Sequence, residues 1–274
     1  AGLLGCAADA FDVEDNLFAA AFSAKSETIV NSSAKVTKQY TGPYFPRPFG
    51  TGFGQVGTLY SHSEIFSSDA SAGTVNLIET CQSGCFSPQP KAGIPVITGL
   101  KVNNGKPGSI LGPSGLAIDP NGCGTISRTK VCNGNLYVVD GANNTIIVVY
   151  NAMSLSQQYT LKVGPTGKTF TGKAAGWAHV LYSGAPLNGP ISAAIVFPAG
   201  HQAGNLVVGN TLDPAGKNLL LEFSPAGKLL ATVNVDKGAA GALFGMSGNS
   251  IGDVTTTQFY FNDDNANNVQ MLEK

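Results

Sequence analysis

The stretch Asn135–Tyr159, NLYVVDGANNTIIVVYNAMSLSQQY, carries the pattern that predicts the fold of the whole chain. An apolar, β-branched run leads into Asp140, a turn rich in Gly and Asn follows, and a second β-branched run comes after the turn. Strand-forming runs separated by turn residues in this way are typical of two antiparallel strands. The stretch therefore predicts a β-hairpin.

The same pattern recurs along the chain. Asn16–Tyr40 aligns with Asn135–Tyr159 without a gap, and the C-terminal stretch QFYFNDDNANNVQML places Asp263 over Asp140. A fourth copy, at Asn205, has a longer turn, and a fifth copy, at Thr58, matches less well. The five copies begin at Asn16, Thr58, Asn135, Asn205 and Gln258. Repeats of this length indicate stacked or radially arranged units, and each unit contributes one small sheet.

Further strands flank these hairpins and complete the unit. A short apolar strand precedes two of the hairpins, at Gly115–Asp119 and Gly189–Val196, and an outer strand follows two others, at Lys35–Tyr40 and Lys228–Val235. Four-stranded units of about 40 to 50 residues are propeller blades. We therefore expect a single all-β domain over residues 1–274, a β-propeller of four-stranded blades, five by count with six as the alternative.

One unit also resembles a known family. GPSGLAIDPN at Gly112–Asn121, followed by NLYVVDGANNTIIVV, resembles an NHL repeat, with its first strand ending in Asp and its Asn-ϕ-Tyr-Val second strand. The unit at Thr58 departs from this pattern, because Ser61, His62 and Ser63 stand where the acidic residue is expected. The resemblance implies an NHL-like propeller. Because propellers are scaffolds for many activities, it implies the fold more strongly than a function.

Composition excludes several classes of function. Charged residues are only 12% of the chain, the net charge is −1, and Arg47 and Arg128 are the two arginines, so we expect no nucleic acid partner. The longest apolar runs fall well short of the roughly 18 residues needed to span a bilayer, so we expect no membrane span.

The cysteines predict the compartment. Cys81 and Cys85, and likewise Cys123 and Cys132, form two local pairs within turn-forming sequence, and both pairs are expected to close as disulfides. Free thiols and a metal site are the alternatives, although the spacing of three and eight intervening residues is unusual for zinc. Disulfides would indicate a secreted, extracellular or periplasmic protein. Cys6 is left over, either as a buried small side chain, a free thiol or one half of an intermolecular bridge.

The turn acids are candidate metal ligands. Asp140 and Asp263 are equivalent in the repeat and Asp264 adjoins the second, so their carboxylates with Asn carbonyls form a candidate calcium site at one rim. The competing interpretation is turn chemistry, in which Asp bonds the backbone two residues on.

Histidines are the other candidate ligands, for zinc. The NHL resemblance implies this alternative, since such propellers include a lyase whose metal is held by histidines. However, His62, His179 and His201 fall at different positions of the repeat, so they are not expected to converge at the axis. No G-x-S-x-G, P-loop or H-E-x-x-H string occurs, and no catalytic residue is nominated.

These observations predict a non-enzymatic binding or assembly protein, with itself or another extracellular protein as the partner and no cofactor. The alternative is a metal-dependent lyase or hydrolase working at the central channel. The segment Ala1–Asp15 is expected to be an N-terminal arm that supplies the strand missing from the last unit, within one molecule or in a neighbour. Strand addition between molecules would make the protein self-associate.

Overall fold

The computed structural model describes residues 6–11, 15–56, 62–79, 93–102, 111–198, 204–213, 215–239, 241–248 and 258–273. Its regular structure is β-strand apart from two 3-10 turns at Ala152–Ser154 and Ala175–Trp177. No helix among the described residues is long and apolar enough to cross a membrane. The all-β prediction is confirmed.

The first blade is a regular four-stranded meander. Its strands are β1 (Cys6–Phe11), β2 (Leu17–Ala21), β3 (Ser26–Val30) and β4 (Val36–Tyr40), in that order across the sheet. β1 pairs antiparallel with β2, with Phe11 opposite Leu17. The described part of the predicted N-terminal arm is therefore the innermost strand of blade 1. Residues 6–11 therefore do not add to the last blade as expected, whereas residues 1–5 and 12–14 of the predicted arm lie outside the described residues.

The second blade is wider than a repeat unit. Its own strands are β5 (Pro48–Val56), β6 (His62–Asp69), β7 (Thr74–Glu79) and β8 (Ile94–Thr98). Two strands that lie later in the sequence pair onto its outer edge, so the sheet has six strands. They come from residues 151–177, which leave blade 3 and pack beside β8.

The third blade carries the best NHL-like unit and a disulfide-bonded hairpin. In chain order its region contains β9 (Pro113–Asp119), the hairpin β10 (Cys123–Ile126) and β11 (Thr129–Cys132), then β12 (Asn135–Asp140) and β13 (Thr145–Tyr150). The excursion to blade 2 supplies β14 (Leu161–Val163) and β15 (Phe170–Thr171), and β16 (Ala178–Ser183) then returns as the outer strand of blade 3.

The cysteine pairs have different outcomes. Cys123 and Cys132 lie opposite each other in the β10–β11 ladder and form a disulfide, as expected. Cys81 and Cys85 lie outside the described residues, so their pairing stays a prediction.

The last two blades differ in width. Blade 4 comprises β17 (Ser192–Val196), β18 (Asn205–Asn210), β19 (Asn218–Phe223) and β20 (Leu229–Asp236). Blade 5 comprises β21 (Met246–Gly248), β22 (Gln258–Asp263) and β23 (Asn268–Glu273), three strands in the described part of the chain.

The five sheets are arranged around an axis, so the count of five is confirmed. The innermost strands pack in sequence, β1 on β5, β5 on β9, β9 on β17 and β17 on β21. Each successive pair of blades shares a hydrophobic cluster between its facing sheets. Between blades 5 and 1, the described residues form no cluster of their own: Ala7, Phe22 and Phe244 instead pack against a small cluster of Phe49, Ala70 and Ile191. The sheet faces that border this last junction expose Phe11, Val36, Tyr260, Val269 and Met271.

Candidate functional site

The turn acids lie at one rim of the propeller, at the ends of second strands. Asp140 is buried at the end of β12, and its Oδ2 accepts a hydrogen bond from the Asn143 side chain at 2.7 Å. Asp263 ends β22, where Oδ1 accepts from the Ala266 backbone at 3.0 Å and Oδ2 from the Gln270 side chain at 2.6 Å. Both carboxylates therefore stabilise the turns that follow them.

Asp264 lies beside this position and is exposed. Its Oδ1 accepts a hydrogen bond from the Asn262 side chain. No group of three or more His, Cys, Asp or Glu residues lies at metal-binding distance within the described ranges. A calcium site at Asp140, Asp263 and Asp264 stays a prediction.

Blade 2 has an equivalent acid that the repeat pattern did not indicate. The second strand of that blade begins at His62, later than the Thr58 register implied, and ends at Asp69. Asp69 Oδ2 accepts from the Arg47 backbone at 2.6 Å, and Oδ1 accepts from Ser71 at 2.9 Å and Ala72 at 2.7 Å. Burial raises the pKa of Asp69, although these backbone N–H groups oppose the shift.

Asp69→Asn is expected to lower the free energy of unfolding by about 2 kcal/mol, whereas Asp140→Asn should stay within about 1 kcal/mol of the wild type. Both oxygens of Asp69 accept from backbone N–H groups, so an amide would turn its own donor towards one of them. Asp140 Oδ1 is buried and has no hydrogen-bond partner among the described residues, so replacing this oxygen by an amide nitrogen breaks no hydrogen bond of the kind that Asp69 makes. Urea unfolding of the two variants measures the difference, and equal losses would contradict this explanation.

Of the three histidine side chains, the structure describes that of His179. His179 is the second residue of β16. Its ring packs against that of Tyr150, with the ring centroids 5.0 Å apart. The His62 side chain and His201 lie outside the described atoms. A shared zinc site stays a prediction.

Glu27 is a buried carboxyl between blades 1 and 2 that no repeat or motif indicated. It lies on β3, with Oε2 accepting from the Ser67 hydroxyl at 2.6 Å and Oε1 from the Thr51 hydroxyl at 3.2 Å. Burial raises the pKa of Glu27 to about 8, and the two hydroxyls only partly offset this effect. The signal was present in the alternation of β3, because Glu27 stands two residues before the core residue Ile29 and so shares its face.

The central channel is narrow. A cavity of about 60 Å³ lies on the axis, and all five blades contribute to its lining through residues such as Ala8, Gly50, Gly115, Ser192 and Met246. This volume is small compared with the roughly 300 to 1,000 Å³ typical of ligand sites.

A larger groove lies between the outer parts of blades 4 and 5. Its volume is about 360 Å³, within the range typical of ligand sites. Two carboxylates, Glu222 and Glu273, border a lining that is otherwise apolar and consists of Val196, Val207, Leu220, Ala231, Val233, Phe259 and Leu272.

The widths of the two blades explain the groove. Blade 4 has an outer strand, β20, and its Ala231 and Val233 lie opposite Glu222 and Leu220 on the face towards blade 5. Blade 5 ends at β23 in the described chain, so nothing described covers these side chains. Val233 is 45% exposed and Leu272 is 39% exposed as a result.

The outer edge of β23 borders the groove. β23 pairs with β22 on its inner side, and no other described strand pairs with it. An unpaired edge presents a row of backbone donors and acceptors that can accept a further strand. The groove and the edge together form the candidate functional site, here called the blade 5 edge site.

The arrangement of small antiparallel sheets around one axis defines the chain as a five-bladed β-propeller. No protein-family model matches the chain, and no curated protein matches its sequence. Solved structures match the fold. A catalytically inactive virginiamycin B lyase from Staphylococcus aureus with quinupristin is 11% identical, with a TM-score of 0.50 over 97% of this chain and 67% of that chain.

Two further propeller structures are similar at lower scores. A calcium-binding protein, regucalcin from Agrobacterium tumefaciens, is 13% identical, with a TM-score of 0.38 over 97% of this chain and 85% of that chain. A nidogen/laminin complex contains a chain 15% identical, with a TM-score of 0.37 over 89% of this chain and 85% of that chain. The predicted five-bladed β-propeller is thus confirmed by the arrangement of the sheets and by the match to the virginiamycin B lyase fold.

Proposed function

We propose that this propeller is a non-enzymatic binding protein that captures an extended polypeptide at the blade 5 edge site. The observation that carries the proposal is the continuity of an apolar groove with an unpaired strand edge. In strand addition, backbone hydrogen bonds supply affinity while alternate side chains enter pockets. A strand added to β23 would direct every second side chain towards the face that carries Leu272.

The charges of the groove suggest the sequence of such a peptide. Glu222 and Glu273 are the charged residues of the lining, and the remaining side chains are apolar. Alternating apolar residues with one Lys or Arg would match this surface. A carboxylate-rich peptide would meet like charges and bind less well.

Export is part of the proposal. The Cys123–Cys132 disulfide supports it, because disulfides persist mainly in oxidising compartments outside the cytoplasm. The proposed setting is therefore secreted, extracellular or periplasmic, with the chain as a single domain and an extracellular protein as its partner.

A displayed library of random heptapeptides, selected on the purified protein, tests the proposal. We expect enriched sequences with apolar residues at every second position, and a loss of at least about tenfold in their affinity on Val233→Glu, which places a charge in the groove. The matched control is Leu230→Glu, because Leu230 is 46% exposed on the same strand but does not line the groove. Enrichment without this periodicity, or equal loss in both variants, would refute binding at this site.

The metal-dependent lyase or hydrolase alternative has no specific observation in its favour. The described channel is small, and its one carboxylate is Asp9. Binding at the blade 5 edge site therefore remains the function that we propose.

A further inference from the structure

Two turns of the chain contain the Asn-x-Ser/Thr motif of N-glycosylation acceptors, without proline in the middle position. They are NSS at residues 31–33, between β3 and β4, and NNT at residues 143–145, between β12 and β13. The acceptor is the side-chain amide of the asparagine, and the sugar it receives is bulky and lies on the protein surface. Because the two turns share the motif, the surroundings of each asparagine decide which of them can carry a sugar.

The Asn31 side chain supports its turn through the oxygen and leaves the nitrogen available. Oδ1 accepts hydrogen bonds from the Ser33 backbone at 3.2 Å and from the Lys35 backbone at 3.0 Å. Nδ2 has no hydrogen-bond partner among the described residues, and it is not one of their buried unpaired atoms. Ser33, whose hydroxyl completes the motif, is exposed. Both groups that a glycosylating enzyme must reach are therefore accessible in the folded turn.

The Asn143 side chain has the opposite arrangement. Nδ2 donates to Asp140 Oδ2 at 2.7 Å and to the Pro165 carbonyl at 3.1 Å, so both of its hydrogens are used. Thr145, the third residue of the motif, is fully buried, and its hydroxyl donates to the Asn143 carbonyl at 3.1 Å. A sugar on Nδ2 would replace one of the two hydrogens and would need the space that Asp140 or Pro165 occupies. Glycosylation of Asn143 is therefore incompatible with the folded turn.

We propose that Asn31 is an N-glycosylation site of the exported protein and that Asn143 is not. The proposal rests on the export that forms part of the proposed function, since N-glycosylation acceptors are surface loops of secreted proteins. The sugar donor is a lipid-linked oligosaccharide. A bond forms between Asn31 Nδ2 and C1 of the first sugar, and the bond from that C1 to the pyrophosphate oxygen of the lipid breaks. The lipid pyrophosphate leaves with the electron pair of that bond, and one amide proton is released.

The timing of the reaction preserves the difference between the two sites. Sugars are transferred as the chain enters the secretory compartment, before folding is complete, so the enzyme can meet both motifs. A chain modified at Asn143 would lose a hydrogen bond to Asp140 or Pro165 and would not form its native turn. A chain modified at Asn31 keeps both hydrogen bonds of Oδ1. Folded, secreted molecules should therefore carry the glycan at Asn31.

A glycan at Asn31 would lie beside the outer strand of blade 1. Asn31 follows Val30, which pairs with Val36 of β4. Val36 is an apolar side chain that is 46% exposed, and the next three residues of β4 are also exposed. Because an N-glycan is bulky and solubilising, it would shield Val36 from other molecules.

Secretion of the chain from a eukaryotic host, followed by mass spectrometry of the folded protein and its peptides, tests the proposal. We expect a single N-glycan, at Asn31, whose mass is lost on digestion with peptide N-glycosidase. Ser33→Ala removes the hydroxyl of the motif but keeps the backbone donor to Asn31, so this variant should lose the glycan and stay folded. The matched control is Ser32→Ala, because Ser32 is exposed in the same turn but occupies the middle position, where the motif accepts alanine.

Three results would overturn the proposal. They are a folded, secreted protein without a glycan at Asn31, a folded protein with a glycan at Asn143, and a Ser33→Ala variant that keeps the glycan. The peptide selection that tests the binding function can be repeated on the secreted protein after the glycan is removed. A chain that lacks the glycan at Asn31 but still selects alternating peptides would refute the glycosylation and leave the proposed binding function intact.

Discussion

Replacing Glu27 by glutamine is expected to remove most of the dependence of the free energy of unfolding on pH between about pH 5 and about pH 8. Glu27 is fully buried between blades 1 and 2, and burial raises its pKa from 4.5 to about 8. Between these values the folded protein holds a proton that the unfolded chain has released. The free energy of unfolding therefore falls as the pH rises through this interval.

The expected size of this effect is large. At 1.36 kcal/mol for each pKa unit, the wild type should lose on the order of 4 kcal/mol more than the glutamine variant across the interval. Glutamine also keeps an acceptor and a donor for the Ser67 and Thr51 hydroxyls, so the variant should fold.

Urea unfolding at about pH 5.5, 7 and 9 measures the two slopes. Asp69, Asp119 and Asp140, whose pKa values burial also raises, are present in both proteins, so the difference between them isolates Glu27. Glu222→Gln is the matched control on the third strand of blade 4. A glutamine variant that keeps the wild-type slope would show that Glu27 does not hold its proton in the folded state.

Gly50→Ala is expected to lower the free energy of unfolding by about 3 kcal/mol, because the inner strands of blades 2 and 3 are in close contact at this point. A Cβ at Gly50 would lie 2.0 Å from the Ser114 carbonyl oxygen and 3.0 Å from the Leu116 backbone nitrogen. These are backbone atoms, so the clash is relieved only by moving whole strands.

The same displacement would disturb a hydrogen-bonded link between the two blades. The Gly50 N–H donates to the Ser68 hydroxyl at 2.8 Å, and that hydroxyl donates to the Ser114 carbonyl at 2.6 Å, which joins blade 2 to blade 3. Gly176→Ala is the control, since no atom lies within 4 Å of a Cβ added there. Thermal unfolding compares the two, and a Gly50→Ala protein as stable as the Gly176→Ala protein would contradict the close-packing explanation.

The sequence by itself determined the strands that form each hairpin. The pattern of Asn135–Tyr159 repeats at five places, and each place contains the second and third strands of one blade. Local physics suffices for this, because alternating β-branched residues and Asn or Gly turns specify a hairpin without reference to distant residues. The pairing of Cys123 with Cys132 followed for the same reason, since the two residues are close in sequence.

The first strand shows where local patterns fail. Cys6–Phe11 contains CAADAF, which is poor in β-branched residues, and the sequence predicted an arm. In the folded chain Ala8 lines the narrow axis beside Gly50 and Gly115. Small residues at these positions let neighbouring inner strands approach closely, so packing overrides the intrinsic strand propensity.

The site itself was decided by tertiary structure. The β23 edge and the groove depend on the width of blade 4 relative to blade 5. The groove also depends on the packing that places Phe259 and Leu272 of blade 5 beside Val233 of blade 4. The buried state of Glu27 likewise depends on Thr51 and Ser67 of the next blade. Sequence patterns fix the alternation within one strand, but the distance between two blades is set by all the strands packed around the axis. Grooves, edges and raised pKa values arise from that distance, so they appear only when the ring is assembled.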